Sequence, residues 1–424
     1  MLDYLVQSRD QTYPELVSEI EAQGGTITAR HLSRLASGAV STTYRGHPST
    51  RRAIQQVFGR PFQELLAPYE PGQISPAAPS GGRPLTGDQR EVVEMAASRA
   101  KRFALDAVQT GLTDEAMEQV YDDVRHIARA YPQRPLSEIL GPLVEAQDTL
   151  FTLLEGNQQP NHARQLYFLT GITSGLLAKA SHDLANPHAA LTQARTANLC
   201  AERADHPGLR AWIFGIRSLV SYWAGNPHDS LRYAQSGIAI GADNTTAIWL
   251  PVSEARAWAA LGNAQMVHDA LQRAEDAWSL VHPDDLDALG GICTFGRSRQ
   301  LYYAAEGLAQ IPSEAADAER YARQAVEAYS DHDNPEWAFG DASGAHTDLA
   351  ITRVTQGELE GAREALSPVL ELPADRRING IIASVKHVHE AIRRSDRRAD
   401  ADARDLQEEI ETFTRVPMQA LSQQ

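Results

Sequence analysis

The chain has 424 residues, 39 basic against 55 acidic side chains, a net charge of -16 and only two cysteines. That length suits two or three domains and buries a core unaided, while Cys200 and Cys293 are too few and too far apart for a disulfide framework or a Cys-based zinc site. Residues 1–16 carry Asp3, Arg9, Asp10 and Glu15 without an apolar stretch, and no run of about 18 apolar residues occurs, so neither a signal peptide nor a membrane span is expected and the cytoplasm is the expected compartment.

Short helices are expected over 2–7, 14–22, 29–36, 49–58 and 62–66, where apolar residues recur at helical spacing between Gly24-Gly25, Gly38, Gly46-His47-Pro48 and Gly59. They make residues 1–66 a small helical domain. This segment holds seven arginines against six carboxylates, or +1, which leaves 32 basic and 49 acidic groups, or -17, for the rest. From Ala22 to Gln63 there is no Asp or Glu, yet six of those arginines lie there with His31 and His47. A basic island free of carboxylates is what a surface contacting DNA phosphates requires.

The island has helical geometry. In the stretch 28–38, Thr28 can cap a helix and Gly38 can end it in the left-handed conformation. Ala29, Leu32, Leu35 and Ala36 then share one face, which leaves Arg30, His31, Ser33, Arg34 and Ser37 outward. That is the layout of a recognition helix, with arginines able to fork onto guanine and hydroxyl or imidazole groups for phosphates and base edges. Arg45, His47, Arg51 and Arg52 follow in the next loop and helix start, where backbone contacts hold register. The expected DNA-contacting set is therefore Thr28, Arg30, His31, Ser33, Arg34, Arg45, His47, Arg51 and Arg52.

Five prolines and four glycines in residues 67–87 mark a flexible linker spanning on the order of 25 Å. Beyond it, 88–110, 113–131 and 136–155 read as helices of a connector, 88–160. A repeat then emerges: Asn186-Pro187-His188 is echoed 40 residues later by Asn226-Pro227-His228, and further breaks come at Leu261-Gly262-Asn263 and Gln356-Gly357-Glu358. Long aromatic helices (Trp212 and Trp223, Trp249 and Trp258) alternate with alanine-rich ones. A hairpin with one bulky and one small face buries little alone and must stack on its neighbours. About six tetratricopeptide-like hairpins, an α-solenoid, are expected over 161–424, the last ending in the charged stretch 393–411 as a solvated cap. The whole chain is thus expected to be all-α.

Catalytic signatures are scarce. None of the three lysines, Lys101, Lys179 and Lys386, sits in a phosphate-binding loop, and dinucleotide, nucleophile-elbow and HExxH motifs do not occur. His387 and His389 would point about 200° apart on a helix, which disfavours a shared metal. Asp284, Asp285 and Asp287 suit a helix start, and Cys200 suits a small core position. No enzyme, cofactor or metal is expected.

Leu32 to Gly38, with the 48–66 stretch ending Phe62-Gln63-Glu64-Leu65-Leu66, resembles the second half of an Xre-type helix-turn-helix domain. With Ala130-Tyr131-Pro132-Gln133-Arg134-Pro135-Leu136 and Leu176-Leu177-Ala178-Lys179-Ala180-Ser181-His182-Asp183-Leu184, the whole chain is similar to actinobacterial transcriptional regulators that join such a domain to tetratricopeptide repeats. One departure is the span 18–28, several residues longer than a tight helix-turn-helix connection. The resemblance implies a sequence-specific regulator that binds double-stranded DNA and whose repeat groove takes a peptide, small-molecule or protein effector. Candidate groove residues on the first helices of the hairpins are Tyr167, Trp212, Arg217, Trp249, Arg256, Arg297 and Arg353. A homodimer is expected, because one domain of this size covers too few base pairs for operator specificity. The alternatives are a repeat scaffold without DNA reading and an enzyme with an unrecognised site in the groove.

Overall fold

The structure, a computed structural model, describes residues 13–23, 25–36, 48–58, 65, 112–156 and 158–415. Every regular element among them is helical. The chain divides into two compact units, Met1–Glu91 and Val92–Gln424. The linker 67–87, the expected helices over 2–7 and 88–110, and Gly38, Arg45 and His47 lie outside the described residues.

The first unit contains α1 (Tyr13–Ala22), α2 (Ala29–Ala36) and α3 (Pro48–Phe58). Leu32, Leu35 and Ala36 form the buried face of α2 and pack with Leu16, Ile20, Ile27, Ala53 and Ile54. Helix α1 runs on to Ala22, so the connection to α2 is residues 23–28. That connection is tied down. A Cβ at position 25 would stand 2.7 Å from atoms of both Ala53 and Ile20, an approach that only glycine permits. The Thr50 hydroxyl both accepts from the Thr26 N–H and donates to the Thr26 carbonyl, at 3.2 Å each, which satisfies backbone groups of the connection.

The second unit begins with α4 (Asp114–Ala130), whose first turn is capped by the Thr113 hydroxyl, and α5 (Leu136–Glu155). Six hairpins follow: α6 (Pro160–Asp183) with α7 (Pro187–Arg203), α8 (Pro207–Trp223) with α9 (Pro227–Ile238), and α10 (Thr246–Ala260) with α11 (Ala264–Ala277). After a short helix, α12 (Asp285–Leu289), come α13 (Arg297–Ala309) with α14 (Ala315–Ala328), α15 (Phe339–Thr355) with α16 (Leu359–Leu370), and α17 (Asn379–Arg394) with α18 (Ala401–Thr414). Residues of α4 and α5, among them Val120, Val124, Leu143 and Leu150, share one core with Leu166, Leu169 and Trp212 of the hairpins. The pair ahead of residue 161 is thus packed as part of the solenoid.

Composition explains the stacking. The second helices turn alanines to their partners at three- and four-residue spacing: Ala190, Ala194, Ala197 and Ala201 on α7, and Ala318, Ala322 and Ala325 on α14, all fully buried. The first helices pair a glycine with an aromatic from another first helix. A Cβ on Gly175 would lie 2.3 Å from the Trp212 ring, one on Gly215 2.5 Å from Trp249, and one on Gly344 2.4 Å from Tyr302. Within the hairpins, Gly225, Gly262 and Gly357 end their helices at φ of 75°, 75° and 83°, and Ala185 holds the same place at 58°. Asn186 and Asn263 then cap the second helices through their side chains.

Two stretches depart from the regular repeat. Between α11 and α13, Asp284 and Asp287 form a capping box for α12, as the acidic cluster led one to expect, and Asp287 also accepts from Thr245. The expected charged cap over 393–411 is divided: α17 ends at Arg394, and α18 buries Ala403, Leu406, Ile410 and Phe413. The apolar residues at four- and three-residue spacing within 403–413 outweigh its surface charge. The solenoid also returns on its own start, since Arg129 Nε donates to the Leu289 carbonyl at 3.0 Å and the Phe339 N–H to that of Pro132 at 3.1 Å. No described helix is long and apolar enough to cross a membrane.

Candidate functional site

On the first unit, Arg30 of α2 and Arg52 of α3 are exposed, Ser33 and Arg51 are half-buried, and Thr28 is exposed just ahead of α2, where its carbonyl accepts the Leu32 N–H at 2.9 Å. His31 and Arg34 lie on α2, with side chains outside the described residues, as Arg45 and His47 are entirely. The apolar side of α2 is packed inward, so Arg30 faces solvent beside no described carboxylate of the stretch 25–58, which contains none.

The second unit buries polar groups along its first helices, and three clusters stand out. At the end of α6, Lys179 pairs with Asp183 at 2.6 Å while the Tyr131 hydroxyl donates to the same carboxylate at 2.8 Å. Beside them, burial lowers the His182 imidazole to about 4, against the pull of Asp183 in the opposite direction. Farther along, Arg299 of α13 pairs with Asp341 of α15 at 2.7 Å. At the centre, Arg256 of α10 meets Glu306 of α13 at 2.9 Å, with side chains 3% and 6% exposed. The Arg256 guanidinium lies over the Tyr303 and Tyr222 rings at 4.2 and 4.3 Å.

Two cavities flank this central pair. The smaller one, of about 80 Å³, is floored by Trp212, Trp223 and Trp249 and edged by Lys179, Arg256 and Arg299; it has room for a few waters. The larger, of about 820 Å³, lies at the ends of the first helices, with Tyr222, Glu306 and Asp348 in its wall. Pockets of roughly 300 to 1,000 Å³ suit drug-sized ligands. Asp348 of α15 is 3% exposed, and its Oδ2 has no hydrogen-bond partner. Burial first and Glu306 second push its carboxyl well above the ordinary carboxylate range, against the opposing pull of Arg256.

Of the expected groove residues, Trp212, Trp249 and Arg256 meet in the smaller cavity. Tyr167 packs against the main core. Arg217 lies over Tyr233 at 4.2 Å, between α8 and α9. Arg297 pairs with Glu275 at 2.5 Å, and Arg353 donates to the Gly361 carbonyl at 2.6 Å; both tie neighbouring helices together. Sequence reasoning passed over Lys179, Asp183, Glu306, Asp348, Arg299 and Asp341. A charge standing inside an apolar helical run, such as Lys179 in Leu177-Ala178-Lys179-Ala180, is the signal that points to them.

Both cysteines are buried. Burial pushes the Cys200 thiol up to about 11, and Cys293 is raised further by the same cause, so neither is an activated nucleophile. No group of three or more His, Cys, Asp or Glu able to hold a metal occurs among the described residues.

No family model matches the chain, and no curated protein does. Among solved structures, the chain is similar to one described as a Rap protein complexed with Competence and Sporulation Factor, at 13% identity and a TM-score of 0.41, over 77% of this chain and 91% of that one. So distant a likeness leaves the fold resting on the helix pairs themselves.

Proposed function

We propose that the protein is a sequence-specific DNA-binding transcriptional regulator, in which the first unit reads DNA and the repeat unit takes an effector among the first helices of its hairpins. The observation that carries this reading is the joining, in one chain, of a helical unit with a basic stretch, 22–63, free of Asp and Glu to a solenoid that buries charge around a cavity of ligand size. Each half is built for a different partner. Arg30 on the exposed side of α2 suits base edges, and Arg51 and Arg52 near the start of α3 suit phosphates. The resemblance to Xre-type regulators with tetratricopeptide repeats supports the same division, along with a homodimer set on two half-sites and a cytoplasmic location. No catalytic role is proposed.

A gel shift of the full chain against its own upstream region, at two salt concentrations, tests it. Sequence-selective binding that weakens steeply with salt is expected. Arg34→Ala should relax specificity and cost about 1 to 3 kcal/mol, whereas Arg51→Ala should weaken all sequences alike and flatten the salt slope by about one. Binding absent at both salts would leave a repeat scaffold without DNA reading.

A further inference from the structure

The larger cavity holds an imbalance of charge. Its deep wall presents two buried carboxylates, Glu306 and Asp348, 5% and 3% exposed. The buried cation beside them, Arg256, is engaged with Glu306 at 2.9 Å, and Asp348 Oδ2 is left without a hydrogen-bond partner. The arginines at the rim are also engaged: Arg394 with Glu390 at 3.6 Å, and Arg397 with Asp400 at 2.8 Å and the Gly357 carbonyl at 2.7 Å. An unpaired carboxylate so deeply buried is costly unless a counter-charge arrives from outside. The wall also has an apolar part, from Ala259, Ala309, Ile351 and Val354.

We propose that this cavity binds an organic cation, a primary ammonium or guanidinium group on an aliphatic stem, with Asp348 as its counter-ion. The stem would lie along Ile351, Val354 and the alanines, and the charged head would reach Asp348 past Tyr222. This assignment rests on the reading of the repeat unit as an effector domain and names the ligand's chemistry. When the cavity is empty, burial and the neighbouring Glu306 favour the protonated Asp348 carboxyl. A bound cation favours the carboxylate, so binding releases the Asp348 proton to solvent and tightens as pH rises. The titratable and charged groups around it are Glu306 and Tyr302 on α13, Arg256 on α10, Tyr222 on α8, and His387, Glu390 and Arg394 on α17, with Asp396 and Arg397 just beyond its end.

The test is calorimetric titration of the full chain with agmatine and with an uncapped arginine-containing tetrapeptide, using butyramide and butyrate as neutral and anionic controls. Running it at two pH values, in buffers of different ionisation enthalpy, counts the protons released. Binding of agmatine marks a free amine as the natural source, and binding of the tetrapeptide alone marks a peptide side chain; either supports the proposal. One proton released per site, affinity rising up to tenfold per pH unit, and a loss of at least tenfold in Asp348→Asn with unchanged circular dichroism are expected. The amide has nearly the shape of the protonated carboxyl and is likewise neutral, so the folding of the variant is not at risk. Cation binding indifferent to Asp348→Asn, a preference for butyrate or butyramide, or no binding of either cation would overturn the proposal. Those failures, with DNA binding intact, remove the ligand class and leave the regulator standing. Failure of DNA binding removes the regulator and leaves the titration valid.

Discussion

The two helices of each hairpin bury different things. Among the second helices, α7 and α14 bury little but alanine, α16 and α18 add large apolar residues such as Leu366 and Ile410, and charges stand in exposed pairs such as Arg320 with Asp317. The first helices bury tryptophan and tyrosine together with Arg256, Glu306, Asp183 and Asp348. Alanine packing would hold a solenoid together without any buried charge, as α7 and α14 show. The polar interior of the first helices is therefore more than such packing needs, and the proposed effector binding would account for it.

Breaking the central pair should have the largest effect. Arg256→Met leaves the buried Glu306 carboxylate without its counter-charge and should cost roughly 3 to 5 kcal/mol in urea unfolding. The buried imidazole at the end of α6 gives the next effect. His182 titrates at about 4 when folded and at about 6.5 in the unfolded chain, so between those values the unfolded state holds more protons. Stability should fall as pH drops through that window, by about 3 kcal/mol at its lower end, and His182→Gln should remove that part of the slope. An unchanged slope would mean that the imidazole stays solvated. Overpacking comes third: Gly215→Ala places a Cβ against the Trp249 ring and should cost about 1 to 3 kcal/mol, measured by thermal unfolding.

Two smaller changes sharpen the contrast. Ala185 sits where Gly225, Gly262 and Gly357 sit in other hairpins, at φ 58°, so Ala185→Gly should raise stability by about 1 kcal/mol. On the second helices, Arg323→Ala should change it by less than about 1 kcal/mol, because its pair with Glu319 is exposed to water on the arginine side. A loss as large as that of Arg256→Met would erase the distinction between the charges of the first and second helices.

The hairpins were legible in the sequence wherever their turns carried Gly or Asn-Pro, as at Asn186, Asn226, Gly262 and Gly357. The turn at Ile311-Pro312 lacks both and went unread, and the α12 insertion follows capping chemistry in place of the repeat. The aromatic half of the site was also legible, because Trp212, Trp249 and Arg256 stand on first helices at repeat spacing. The charged half was not, since its partners meet only through stacking: Arg256 and Glu306 are 50 residues apart, and Tyr131 and Asp183 are 52. Arg217, Arg297 and Arg353 share the residue type and the helices but lie toward neighbouring helices, a difference of helical phase that one sequence does not display. On the first unit, the apolar face of α2 followed from spacing, while the tie between Thr26 and Thr50 joins residues 24 apart and does not.

The claim that the buried charges of the first helices serve a ligand is tested most directly by replacing the three beside the larger cavity with apolar residues. The triple variant Arg256→Met, Glu306→Leu and Asp348→Leu, followed by urea unfolding of the full chain, should be as stable as the wild type or more so, by up to about 4 kcal/mol, since no charge is left stranded. A loss of several kcal/mol, matching that of Arg256→Met alone, would show that the buried charges hold the solenoid together and would contradict the account.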